Sequence, residues 1–167
     1  ALKTQPSPGA LDRARDALAR VRELEKHYVR KENLLFPFLE KHAFHGPTAV
    51  MWAIHDDIRA GWKALDALLV NGPEGDWQKL SDHADTLFAP LETAIREMIY
   101  KEEKILFPTA LEKLSQEEWV AVRDQEAGIG TCYVQPGDRW LPVKPVETAA
   151  GQLLTLGEPP APPTPAA

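Results

Sequence analysis

Apolar residues along the first third of the chain recur at helical spacing. From about Ala10, the positions Ala14, Ala17, Val21, Leu24, Tyr28 and Leu35 fall three, four or seven apart and draw one stripe. Pro37 is expected to kink or end that helix, and His42-Ala43-Phe44-His45-Gly46-Pro47 reads as a connection. A second helix is predicted from Thr48, as cap, to Val70, with the stripe Met51, Ile54, Ile58, Trp62, Leu65 and Leu69. Asn71-Gly72-Pro73-Glu74-Gly75-Asp76 interrupts the pattern. A third helical stretch then runs from near Asp76 to Glu112, with kinks or breaks expected at Pro90 and Pro108. Ser115-Gln116-Glu117-Glu118 has the form of a capping box and predicts a short fourth helix.

Beyond Gly128 the periodicity changes. Thr131-Cys132-Tyr133-Val134 and Arg139-Trp140-Leu141, separated by Gln135-Pro136-Gly137-Asp138, read as two short strands around a turn. The expected organisation is therefore a flexible leader over 1–9, a helical bundle over 10–127, a small β appendage over 128–148 and a disordered Pro-rich tail over 149–167. The fold class is all-α: a four-helix up-down bundle with a short C-terminal β hairpin.

Composition adjusts this picture only at its edges. Of 167 residues 44% are hydrophobic and 26% charged, as in ordinary globular domains. The net charge of −6, with no basic block, argues against a nucleic-acid partner. No run approaches the ~18 apolar residues of a membrane span. Ala1-Leu2-Lys3-Thr4-Gln5-Pro6 lacks the apolar segment of a secretory signal. Cys132 is alone, so no intrachain disulfide can form, and a cytoplasmic location is expected. Gly-rich phosphate loops, Gly-x-Ser-x-Gly and His-Glu-x-x-His are missing, and nothing indicates turnover of an organic substrate.

The chemistry lies in a repeat. Glu32-Asn33-Leu34-Leu35-Phe36-Pro37 returns as Glu103-Lys104-Ile105-Leu106-Phe107-Pro108, with Arg30 matched to Lys101 and His27 to Met98. Two readings are open: duplicated helix ends that pack Phe and stop at Pro, or two half-bundles projecting carboxylates inward beside histidine. At 100° per residue, His55 lies about 50° and Glu102 about 40° from the centre of its stripe, while His83 sits at an edge and Glu103 points sideways. His27 and Glu32 flank their stripe on opposite sides, and Lys31 lies nearer its middle. Each histidine alone fits a hydrogen-bonded core position. Together with Glu32, Glu102 and Glu103, however, His27, His55 and His83 form a candidate metal or cofactor set. His27 and Glu32, about 140° apart on an ideal helix, converge only from opposite edges or where the helix is wound wider, as in a π turn. His42 and His45, in a connection, are expected to be solvated.

His27-Tyr28-Val29-Arg30-Lys31-Glu32-Asn33-Leu34-Leu35-Phe36-Pro37 resembles the His-then-Glu, Leu-Phe-Pro motif of hemerythrin-like HHE cation-binding domains. Met98 to Pro108 looks like its second copy. Val50-Met51-Trp52, His55-Asp56-Asp57-Ile58-Arg59, Ile129-Gly130 and Trp140-Leu141-Pro142 are similar to a DUF438-type subgroup, in which a PAS sensor domain often follows the bundle. The resemblance implies a four-helix bundle holding non-haem iron, as a di-iron site, for binding or sensing O2, NO or redox state. The implied metal ligands are His27, Glu32, His55, His83, Glu102 and Glu103. Lys31 stands where that family often has Glu, and Met98 where a His is expected, so a five-histidine oxygen carrier is not built from this chain. The same departures leave open non-covalent haem b on one axial histidine (His27, His55 or His83) and a non-catalytic interaction module. Any signalling output is expected to pass to a partner protein or a homodimer.

Overall fold

The computed structural model describes residues 9–71, 77–135 and 137, together with the backbone of Val146–Glu147 and Leu153–Leu154. Four helical stretches make up the first unit, which extends to Gln135. Helix α1 covers residues 10–41 and combines Ala10–Arg22, Leu24–Arg30, a π turn at Lys31–Leu35 and Phe36–Lys41. Helix α2 is His45–Asn71. Helix α3 covers 77–113 and combines Trp77–Lys101, a second π turn at Glu102–Leu106 and Phe107–Lys113. Helix α4 covers 116–128, with Gln116–Gln125 closing in a 3-10 turn at Glu126–Gly128. Among the described residues no helix is long and apolar enough to cross a membrane.

The prolines expected to kink or end helices do not end them. Both copies of the repeat relax into a π turn immediately before Phe-Pro, where Phe36 N–H reaches Lys31 O and Phe107 N–H reaches Glu102 O. Each proline then takes an early position of the next α segment, where its missing N–H costs little. The wider turn absorbs the ring clash upstream of the proline. Helix α3 also continues through Pro90.

The second helix begins at His45 rather than Thr48. Thr48 is fully buried, and its hydroxyl bonds Phe44 O, His45 O and the Glu40 carboxylate at 2.9 Å, so it braces the turn from within the helix. The capping box at Ser115 forms as expected: Glu118 N–H donates to Ser115 Oγ, and Ser115 N–H donates to Glu118 Oε2. That carboxylate also accepts from His42 Nε2 at 2.9 Å, so His42, expected in solvent, instead ties the end of α1 to α4.

Buried side chains from the four stretches meet in one core. Its best-enclosed members include Tyr28, Phe36, Leu39, Ile58, Met98 and Leu106. Helices α2 and α3 approach closely at Gly61, where a Cβ would come within 3.1 Å of Leu91 Cδ1.

The β hairpin expected over Thr131 to Leu141 is not formed. Thr131 to Val134 make bends, with Tyr133 at φ 59°, a left-handed value that no strand accommodates. Tyr133 instead donates its hydroxyl to the Arg20 carbonyl. Asp138 to Leu141 lie outside the described residues, as do most of the leader and of the Pro-rich tail and the break at 72–76. In the second unit, Pro136–Ala167, Val146 pairs antiparallel with Leu154 and Glu147 with Leu153, a contact of two residue pairs at a different place from the predicted hairpin. The first unit is an all-α bundle.

Because Gly61 meets Leu91 so closely, Gly61→Val is expected to overpack the α2–α3 contact and to cost about 1–3 kcal/mol. Chemical denaturation measures this; an unchanged midpoint contradicts the close approach.

Candidate functional site

The lower half of the bundle encloses ionisable groups that the core would exclude unless they were paired. Their positions follow from the local winding. The π turn starting at Lys31 swings both Lys31 and Glu32 toward the interior, leaving them 3% and 5% exposed. In α3 the π turn starting at Glu102 does the same for that carboxylate, at 4%. From α2 comes His55, with no exposed surface at all.

Two aromatic rings lie near-parallel to His55. Tyr28 stacks on it at 4.3 Å between ring centroids with 14° between planes, and Phe36 lies parallel on it at 6.1 Å. Its two nitrogens have different partners. Nδ1 lies 2.6 Å from Glu32 Oε1, and Nε2 lies 2.9 Å from the Lys31 ammonium. Arg59, one turn along α2 from His55, grips both oxygens of Glu32 at 3.0 and 2.8 Å, and also holds Glu25 and Asp56. A carboxylate so gripped is an acceptor, so Nδ1 of His55 carries the proton and Nε2 presents its lone pair to Lys31.

Lys31 is the centre of the cluster. Its ammonium donates to His55 Nε2 and to Glu102 Oε1, and sits 4.5 Å over the Tyr28 ring. The other oxygen of Glu102 accepts from Nε2 of the half-buried His27 at 2.9 Å. Burial depresses both the Lys31 amine and the His55 imidazole, with Glu102 and Glu32 respectively opposing the shift. For Glu32, burial works against the charge, but the bonds from His55 and Arg59 outweigh it and hold the carboxyl below its ordinary range. Glu102 is likewise held low against burial, by His27 and Lys31. Arg59 is raised, chiefly through its bond to Glu32. Among the buried groups Glu32 and Glu102 are anions, Lys31 is a cation and His55 is neutral, and the half-buried Arg59 brings a second positive charge that it shares with Glu25 and Asp56.

Four of the six metal candidates therefore come together: His27, Glu32, His55 and Glu102. Two do not. His83 and Glu103 are exposed on the surface of α3. Met98, fully buried, fills the position where the second copy of the motif would bring a histidine. Sequence reasoning missed Lys31 and Arg59 as members of the cluster. The signal for Lys31 was its place near the middle of an apolar stripe, and for Arg59 its position one turn from the inward His55.

Whether a metal fits turns on the cluster's centre. The point facing His55 Nε2 and Glu102 is taken by the Lys31 ammonium. A divalent ion there would meet a cation at hydrogen-bond range of its own donors. Among the described residues no three His, Cys, Asp or Glu are placed to hold a metal. The residues present do not fit an iron centre. Haem fares no better: both nitrogens of His55 are engaged, His27 bonds Glu102, and His83 is exposed. An apolar groove of about 640 Å³ between the first halves of α1 and α3, floored by Leu65 and Leu69, has no histidine in its lining.

Comparison with known proteins gives one family. The model of the Hemerythrin HHE cation binding domain matches residues 1–110. No curated protein matches the chain.

Two outcomes follow from the pairing. Glu102→Ala leaves the Lys31 charge buried and uncompensated, and is expected to cost about 3–5 kcal/mol, most of which the double variant Lys31→Met/Glu102→Leu regains; denaturant titration of both variants checks this. The second concerns acid. A histidine depressed on folding contributes stability above its ordinary value of 6.5 and loses it as pH falls through its folded value, because the unfolded chain takes the proton first. Glu32 and Glu102, held below their ordinary 4.5, lose theirs in the same direction at lower pH. The denaturation midpoint is expected to fall in two stages, below pH 6.5 and again below pH 4.5, with the first stage missing in His55→Gln.

Proposed function

We propose a metal-independent role for this chain, which belongs to the hemerythrin HHE cation-binding domain family: it is a non-catalytic helical module whose interior cation is its own lysine. The observation that carries this reading is the Lys31 ammonium, 2.9 Å from His55 Nε2 and bonded to Glu102, where the donors of α1, α2 and α3 converge. Membership of the family, and the convergence of His27, Glu32, His55 and Glu102, favour non-haem iron for O2, NO or redox sensing. The lysine at the point where those donors meet outweighs them. The Val50-Met51-Trp52 and His55-Asp56-Asp57-Ile58-Arg59 stretches support a DUF438-type affiliation. Any output then runs through a partner protein or a second copy of the chain rather than through a bound gas.

The test is the purified protein, expressed with iron and haem precursors in supply. Elemental analysis is expected to find no stoichiometric metal, and the ultraviolet-visible spectrum no Soret band. Stoichiometric iron, or a Soret band abolished by one histidine variant, overturns the reading.

A further inference from the structure

Helix α4 accompanies only part of α1. Arg30 bonds Glu126 and His42 bonds Glu118, so α4 flanks α1 between those levels. The first halves of α1 and α3 are joined from behind by α2, and the apolar groove of about 640 Å³ runs between them with nothing from α4 in its lining. Its α1 wall is Ala14, Ala17, Leu18 and Val21. Phe88 stands on the α3 wall with 47% of its surface exposed. An apolar cleft with an exposed aromatic ring at its lip marks an interaction surface.

The two walls match each other in height and oppose each other in charge. Lys31 meets Glu102, 71 residues further on, and the groove sets Ala14 to Val21 against Ala84 to Glu92 at about the same offset. Helices α1 and α3 therefore run parallel, and Phe88 is level with Ala17, an exposed residue whose side chain is one methyl group. At 100° per residue the edge of α1 turned away from α2 carries Arg13 and Arg20. Arg15 and Arg22 turn the other way and reach Leu69 O and Asp66 on α2. The outer edge of α3 carries Asp82, Asp85 and Glu92, the last of which also holds Arg96. By the same offset Arg13 is level with the turn from Asp82 to Asp85, and Arg20 with Glu92.

We propose, on the reading above that output passes through a protein contact, that this face binds a second copy of the chain in an isologous dimer. Its two-fold axis runs along the bundle, which lays α1 of each copy over α3 of the other and keeps every residue at its own height. Phe88 of each copy then enters the groove of the other at Ala17, and the Arg13–Arg20 edge meets the Asp82–Glu92 edge. A two-fold axis across the helices would instead set α1 on α1, basic edge against basic edge. The charges thus select the arrangement, while burial of the two Phe88 rings supplies the affinity.

Sedimentation equilibrium of the full chain from about 1 to 200 µM reads the assembly. Wild type is expected to dimerise within that range. Phe88→Ala and Ala17→Glu should each raise the dissociation constant at least about 10-fold, with helicity by circular dichroism unchanged. Arg13→Glu/Arg20→Glu and Asp85→Lys/Glu92→Lys should each be monomeric alone, yet form a one-to-one dimer when mixed, because mixing restores opposite charges at both contacts. A wild-type monomer throughout the range overturns the inference and leaves the metal-independent reading standing. The inference also falls if the dimer keeps its affinity in Phe88→Ala and Ala17→Glu, if the assembly exceeds two copies, or if the charge variants do not recombine. Stoichiometric iron in a chain that dimerises as described overturns the metal-independent reading alone.

Discussion

A buried ammonium bonded to a buried carboxylate constrains everything around it. Taking Lys31 and Glu102 out of water costs several kcal/mol for each ion, and their attraction offsets this only if the remaining donors and acceptors are satisfied. The bundle meets that condition with His55, His27 and the Tyr28 ring around the pair. Glu32 then anchors the far side of His55, and Arg59 neutralises Glu32. Removing any one member strands another, so the cluster acts as a unit. It ties α1, α2 and α3 together through directional bonds, where apolar packing alone would tolerate sliding.

The π turns make this possible. On an uninterrupted α-helix, His27 and Glu32 point about 140° apart and could serve one interior only from opposite edges of their stripe. Widening one turn in each copy of the repeat brings Lys31 and Glu32 inward in α1 and Glu102 inward in α3. The Phe-Pro that follows each turn explains why the widening sits there: proline removes a hydrogen bond and crowds the preceding turn, and the extra residue relieves both. A sequence feature that reads as a stop signal is here the means of aiming charged side chains into a core.

Much of this was legible in the residues. The stripes located the first three helices, and the Ser115 box located the start of the fourth to the residue. His55 and Glu102 were assigned inward from angles alone, and both are buried. Four things were not legible. Thr48 looks like a cap because Thr favours that position, but tertiary bonds to Glu40 made it interior to the helix. Thr131 to Val134 alternates like a strand, yet a two-stranded ribbon without a sheet to join is marginal, and the Tyr133 hydroxyl found α1 instead. His83 and Glu103 were grouped with the others by residue type, although their places at the side of the stripe leave them in solvent. Lysine was read as a lost ligand, whereas physically it is a cation delivered to the site.

The central claim is that the Lys31 side chain, and no external ion, faces His55 and Glu102. Nuclear magnetic resonance of lysine side-chain nitrogens tests it most directly. The account expects one lysine signal with slowed proton exchange and Overhauser contacts to the Tyr28 ring and His55, absent from the spectrum of Lys31→Met. A spectrum in which every lysine exchanges as if in free solution, with no contact from any of them to Tyr28, contradicts it.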